Sequence, residues 1–139
     1  MLLHIVARGR IGRGPEAELV DRYCKRLSWP VKLTELSEHA PTPPPPPGTV
    51  SVLLDESGDQ ASSREIARRL ERWRDDGRRE ARFLLGAADG HDPQTRATAD
   101  WSIAFGRATW PHLLARAMLA EQLWRATSIL ANHPYHRDG

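Results

Sequence analysis

The sequence predicts an α/β fold with a mainly parallel sheet. Three observations carry this. Short apolar runs recur between segments with helical spacing. Glycine or proline stands at most changes of period. The 139 residues suffice for one buried core, so a single domain over 1–139 is expected.

The elements follow in order. Residues 2–7 are apolar and end near Gly9, which reads as a buried strand. Pro15 suits the first turn of a helix, and Leu19, Val20, Tyr23, Cys24 and Leu27 continue it at helical spacing until Pro30. Residues 31–36 alternate as a second strand. Residues 40–48 hold six prolines, which lack the amide donor a sheet needs, so they form a surface connector. Residues 50–54 read as a third strand. Ser62 or Ser63 caps a helix carrying Ile66, Ala67, Leu70 and Trp73, which ends at Gly77. Residues 81–85 are a fourth strand, and Gly86 to Gly90 a glycine-bearing turn. Asp92-Pro93 begins a short helix reaching about Ala99. Residues 101–105 are a fifth strand, 106–111 a loop, and 112–132 a long last helix.

In parallel sheets ligands bind beyond the carboxyl ends of the strands. That directs attention to Leu54-Asp55, to the turn from Gly86, and to the loop from Gly106. The last helix is apolar on more than one side, with Leu113, Leu114, Met118, Leu123, Trp124 and Ile129 spread around it. A helix of that kind must bury more than one side. One side can lie on the sheet, and a homodimer interface is expected for another.

Composition excludes several classes. Hydrophobic residues are 40% and charged residues 27%, too balanced for a disordered chain. A net charge of +2 is weak evidence for a polyanion partner. Eight arginines lie between Arg64 and Arg82, which suits either phosphate contact or a solvated helix face balanced by Glu65, Glu71, Asp75, Asp76 and Glu80. Cys24 is the only cysteine, so no internal disulfide forms, and its helical setting reads as a small core residue. The apolar run before Arg8 and Arg10 is too short for a signal peptide. No stretch approaches a transmembrane helix. A cytoplasmic protein without membrane contact is expected.

Metal and hydrolase chemistry find little support. His133 and His136 are close, but His4, His39, His91 and His112 are scattered, and there is no Cys pair or His-Glu-x-x-His helix. No metal is expected. No G-x-S-x-G elbow occurs, and the Gly86–Gly90 turn fits neither a P-loop nor G-x-G-x-x-G. The C-terminus is denser in chemistry. Asn132, His133, Tyr135, His136 and Arg137, with Pro134 among them, offer donors, acceptors and imidazoles titrating near neutrality. Composition alone favours a solvated polar tail.

A longer pattern resolves that choice. It runs Trp110-Pro111-His112-Leu113-Leu114-Ala115-Arg116, Ala120-Glu121-Gln122-Leu123-Trp124-Arg125-Ala126, Ser128-Ile129 and Asn132-His133-Pro134-Tyr135-His136-Arg137. It resembles the ribosomal RNA large-subunit methyltransferase H family. The opening strand and its glycine, Leu54-Asp55 before Gly58, Leu70-Glu71-Arg72-Trp73 before Gly77, and the turn at Gly86 extend the resemblance over nearly the whole chain. It implies a SPOUT-type parallel sheet with a C-terminal trefoil knot, which periodicity alone cannot reveal.

The resemblance implies methylation by S-adenosylmethionine, leaving S-adenosylhomocysteine. The target implied is N3 of pseudouridine 1915 in the intersubunit stem-loop of 23S rRNA, in the assembled ribosome. It also implies a homodimer. Position by position, the cofactor touches Leu54, Gly86 and the loop Phe105, Gly106, Arg107, Ala108, Thr109 and Trp110. His133, Tyr135, His136 and Arg137 are the expected catalytic residues, and His112, Arg116, Arg125 and Asn132 the expected substrate contacts. In this scheme His133 or His136 assists deprotonation, Arg137 stabilises the anion, and Tyr135 orients the base. The tail is expected to close over the site when ligand is present.

Three features depart from the family pattern. Ala87 replaces the second glycine of the turn. Trp110 replaces an aliphatic residue. The proline-rich loop replaces a longer basic helical segment, and the arginine-rich helix after Ser62 can compensate. Rival readings are a SPOUT-like enzyme acting on tRNA and a non-catalytic ribosome-binding module.

Overall fold

The computed structural model describes residues 1–86 and 90–131. Five strands form one sheet: β1 (Leu2–Arg8), β2 (Val31–Leu36), β3 (Thr49–Asp59), β4 (Glu80–Leu85) and β5 (Trp101–Ile103). Their spatial order is β2-β1-β4-β3-β5, and every pairing is parallel. Four helices connect or follow them: α1 (Pro15–Arg26), α2 (Ser63–Asp75), α3 (Pro93–Thr98) and α4 (His112–Leu130).

Local chemistry explains the helix limits. Pro15 starts α1, where a missing amide costs nothing. Ser62 caps α2 by accepting from the Glu65 amide at 3.1 Å. Asp92 caps α3 by accepting from the Thr95 amide at 2.8 Å.

The two faces of the sheet differ in kind. Leu3, Ile5, Val50, Val52 and Phe83 point to one face, where they pack with Ile66, Leu70 and Trp73 of α2 and Leu119, Leu123 and Ala126 of α4. The other face carries a smaller apolar cluster, Val6, Leu53 and Leu84, backed by Leu36 and Ala99. The proline-rich segment is tied to the strands by two arginines. Arg82 of β4 donates to the Pro43 carbonyl at 2.6 Å. Arg8 of β1 donates to the Ser37 carbonyl at 3.0 Å, to Thr42 Oγ1 at 2.7 Å and to the Ala40 carbonyl. An extended segment leaves carbonyls unpaired, and these guanidiniums satisfy those of Ser37, Ala40 and Pro43.

Two strand ends differ from the sequence expectation. β3 continues past Leu54 to Asp59, with a register shift that brings Asp59 beside Ile103. Gly58 makes this possible, because a Cβ there would lie 2.7 Å from the Ile103 nitrogen. β5 stops at Ile103 rather than Phe105, and Gly106 then turns with φ 87°.

α4 lies against both α1 and α2 as well as the sheet. The chain therefore covers more of this helix than its apolar spread suggested. A strip remains half-exposed. Leu114 and Met118 join Leu19, Tyr23 and Phe105 along a shallow apolar groove. The expected trefoil knot is not displayed by the described residues, and residues 132–139 lie outside them.

Candidate functional site

All five strands point the same way, so their carboxyl ends share one edge. A cavity of about 410 Å³ opens there. Its walls are the ends of β3 and β4, the loop after β5, and the first turn of α4. That size falls within the range of small-molecule sites.

The sequence-derived cofactor residues divide between the wall and the outside. Leu54, Gly86, Phe105, Gly106, Thr109 and Trp110 all line the cavity. Arg107 and Ala108 lie on the exposed crest of the same loop and do not line it. Two side-chain bonds shape that loop. Trp110 Nε1 donates to the Phe105 carbonyl at 2.8 Å, and Thr109 Oγ1 donates to Glu56 Oε2 at 2.8 Å. The Trp110 indole is thereby satisfied at its one polar atom, yet 42% of its surface is exposed at the cavity mouth.

Gly86 sits where a side chain would be crowded. A Cβ would lie 3.2 Å from the Gly90 carbonyl carbon and 3.3 Å from the His91 ring. Gly86 lines the cavity, and without a side chain its backbone can approach a ligand there.

Three wall residues escaped the sequence reading as a group. His91 Nε2 donates to the Leu54 carbonyl at 2.9 Å. Burial lowers its pKa despite that bond and the nearby carboxylates, so the ring is neutral at pH 7. Its proton then sits on Nε2. Asp55 accepts from the Ser57 amide at 3.1 Å and the Ser57 hydroxyl at 3.0 Å, and pairs with Arg96. Burial alone would raise the Asp55 carboxyl, but the Ser57 bonds and the Arg96 charge outweigh it and hold it below its ordinary value. The position of Asp55 at a strand end was a usable signal. Nothing in the spacing linked it to Arg96, which reaches it through the turn of α3.

The expected substrate contacts separate. His112 lines the cavity at the start of α4. Arg116, one turn on, does not. Only 1% of it is exposed, and its Nη1 donates to Glu35 Oε2 at 2.5 Å while Nη2 donates to the carbonyls of Arg8 and Gly9, both at 3.2 Å. The expectation that it faces substrate gives way to a structural role, because both of its terminal nitrogens are engaged beneath the β1–α1 loop, although its buried Nε has no partner among the described residues. Arg125 pairs with Glu121 one turn before it, Nε at 2.8 Å, and lies off the cavity wall. Asn132, His133, Tyr135, His136 and Arg137 lie outside the described residues, as does Ala87. Among the described residues no group of three or more His, Cys, Asp or Glu side chains is placed to hold a metal. No described helix is long and apolar enough to cross a membrane.

A parallel sheet with a cavity at its carboxyl edge, a glycine on the wall and a polar loop at the mouth defines an α/β domain suited to a small organic ligand. Comparison with known proteins makes that class specific. The family described as "Predicted SPOUT methyltransferase" matches residues 42–136. A protein of Rhizorhabdus wittichii is 70% identical over 140 residues, covering all of both chains. A protein of Novosphingobium aromaticivorans is 67% identical over 141 residues, and one of Zymomonas mobilis 60% over 142, again covering both chains fully. Each of the three is named Ribosomal RNA large subunit methyltransferase H. The chain belongs to the SPOUT methyltransferase family, in the group of those large-subunit methyltransferases, and is an enzyme of methyl transfer.

Proposed function

We propose that this enzyme transfers a methyl group from S-adenosylmethionine to N3 of a pseudouridine in the intersubunit stem-loop of 23S rRNA, within the assembled ribosome. The observation that carries this reading is the convergence of Leu54, Gly86, Phe105, Gly106, Thr109 and Trp110 on one cavity. The relatives' names supply the class of RNA.

The donor set fits the cofactor. The apolar wall of Leu54, Leu85, Ile103 and Phe105 suits an adenine ring, and the bare backbone at Gly86 offers close approach. Arg96 on that wall has its charge answered by Asp55. A positively charged sulfonium therefore meets no uncompensated positive charge there. When bound, S-adenosylmethionine supplies an electrophilic methyl group and leaves as S-adenosylhomocysteine.

The uracil-type N3–H is a weak acid, so its nitrogen is a poor nucleophile until the proton leaves. We assign that step to the imidazole of His133 or His136, with Arg137 stabilising the anion and Tyr135 orienting the base. A positioned base is worth roughly a hundred- to ten-thousand-fold. His112 on the cavity rim, with Arg125 and Asn132, would meet the RNA. Supporting this part is the C-terminal pattern itself, whose residues follow directly from α4.

The working form proposed is a homodimer. The groove of Leu114 and Met118 against Leu19 and Tyr23 supports it, since a second α4 would cover that strip. Action on ribosomes implies a cytoplasmic protein.

Transfer of labelled methyl from S-adenosylmethionine to assembled ribosomes, compared with deproteinised rRNA and tRNA, tests the reading. Label in tRNA alone would favour another RNA target for the same fold.

A further inference from the structure

The connection from β1 to α1 differs from the other loops at the carboxyl edge. Residues 8–14 read Arg-Gly-Arg-Ile-Gly-Arg-Gly. Gly9 and Gly12 have φ of 76° and 75°, a backbone region that side chains disfavour. The loop therefore curls between its arginines.

It is held from within. The Gly9 amide donates to the Leu36 carbonyl at 2.8 Å, and the Ile11 amide donates to Glu35 Oε2 at 2.8 Å. Arg116 lies beneath, donating to the carbonyls of Arg8 and Gly9 and to Glu35. A guanidinium is buried only where charge and carbonyls receive it, so this is a built support rather than a surface contact. Arg8 is also committed, to the proline-rich segment. Arg10 and Arg13 are not. Both are exposed, and neither makes an ion pair or hydrogen bond among the described residues. The charge of Arg10 does reach Glu35 and helps hold its carboxyl down. Glu16 and Glu18 follow in the first turn of α1, so the cationic surface is confined to the loop.

Position gives the loop its meaning. Arg116 directly follows Ala115, which lines the cavity together with His112. β1 pairs with β4, whose end leads to Gly86. The loop and its two exposed arginines thus follow a strand end on the same edge of the sheet as the cavity.

We propose that residues 9–14 form a phosphodiester-binding loop, in which Arg10 and Arg13 grip backbone phosphates of the RNA flanking the nucleotide in the cavity, with Arg116 and Glu35 as the positioning pair beneath. It rests on the reading that the substrate is RNA. A guanidinium presents a planar fork that matches phosphate oxygens. Such contacts fix the register of the RNA and carry no sequence information.

The test uses the full chain and its Arg10→Ala/Arg13→Ala variant. Binding to assembled ribosomes is measured by co-sedimentation over a series of salt concentrations, and S-adenosylmethionine affinity by calorimetry. The expected result is roughly tenfold weaker ribosome binding. The slope of log affinity against log salt falls by about two, since each phosphate contact accounts for about 0.7–0.9. Cofactor affinity stays unchanged, and Arg10→Lys/Arg13→Lys recovers most of the binding. Unchanged ribosome affinity and slope in the alanine variant overturn the proposal, as does an equal loss of cofactor affinity. The readout is independent of turnover. A wild-type protein that binds through the loop yet transfers no methyl group sinks the catalytic reading and supports the loop. An active enzyme whose double variant binds unaltered sinks the loop alone.

Discussion

The Nε2 of His91 donates to the carbonyl of Leu54 at 2.9 Å, joining the segment after β4 to the end of β3 across the cavity wall. The bond fixes a strand-end carbonyl that would otherwise face the ligand. Burial, acting against that bond, keeps the imidazole neutral.

That neutrality has a pH signature. The folded His91 pKa lies below its ordinary value of 6.5. Between the two values the unfolded chain binds the extra proton, so stability is full above about 6.5 and declines as pH falls through it. Thermal unfolding of wild type and His91→Gln from pH 8 to 5 measures this, as Gln keeps a donor without titrating. The variant should lose part of the acid-side decline. Parallel curves would contradict the assignment.

Gly86 should tolerate no side chain without cost to the ligand. In Gly86→Ala the new methyl presses on the Gly90 carbonyl carbon and on a His91 ring already tethered to Leu54. Overpacking of this kind costs about 1–3 kcal/mol. Calorimetry should give S-adenosylmethionine affinity at least tenfold weaker, with the protein still folded at 25 °C. Wild-type affinity would remove Gly86 from the site.

Glu35 and Arg116 form the support of the β1–α1 loop. Removing one partner of a buried pair strands the other, at about 3–5 kcal/mol when both are dry. The Glu35 side chain is 32% exposed, so water softens the loss to roughly 1–3 kcal/mol. Burial opposes ionisation of Glu35, but the Ile11 amide and Arg116 lower its pKa overall, so its contribution is present above its ordinary value of 4.5 and fades as pH falls toward the folded one. Denaturant titration of Glu35→Gln at pH 7 and pH 4 reads both. An unchanged midpoint at pH 7 would show the pair contributes nothing net.

The apolar strip on α4 gives an oligomer prediction. Met118→Glu places a charge in the groove beside Leu114 and Tyr23. Sedimentation should find wild type as a dimer and the variant mainly as a folded monomer. A monomeric wild type at micromolar concentration would end the dimer proposal.

Much of the fold was legible because its elements are local. The apolar run of β1, Pro15 before α1, Ser62 before α2 and Asp92-Pro93 before α3 each act within a few residues. What stayed hidden depends on distant partners. The polar stretch Asp55 to Asp59 joins β3 only because Gly58 lets it lie on Ser102 and Ile103. Arg116 read as a cavity residue because a helix apolar on several sides does not reveal which side faces inward. The site followed the same division. Strand ends and Gly86 were visible, while the bond of His91 to Leu54 and the Asp55–Arg96 pair join residues far apart in the chain.

The most direct test of the account is mapping of the methylated nucleotide. Assembled ribosomes lacking the modification are incubated with S-adenosylmethionine and either wild type or the His133→Ala/His136→Ala variant, and the rRNA is digested and analysed by mass spectrometry. Wild type should give one new N3-methylated pseudouridine in the large-subunit stem-loop, and its appearance should be at least a hundredfold slower when His133→Ala is combined with His136→Ala. No methylation of the ribosome by a protein that binds the cofactor, or full-rate methylation by His136→Ala together with His133→Ala, would contradict it.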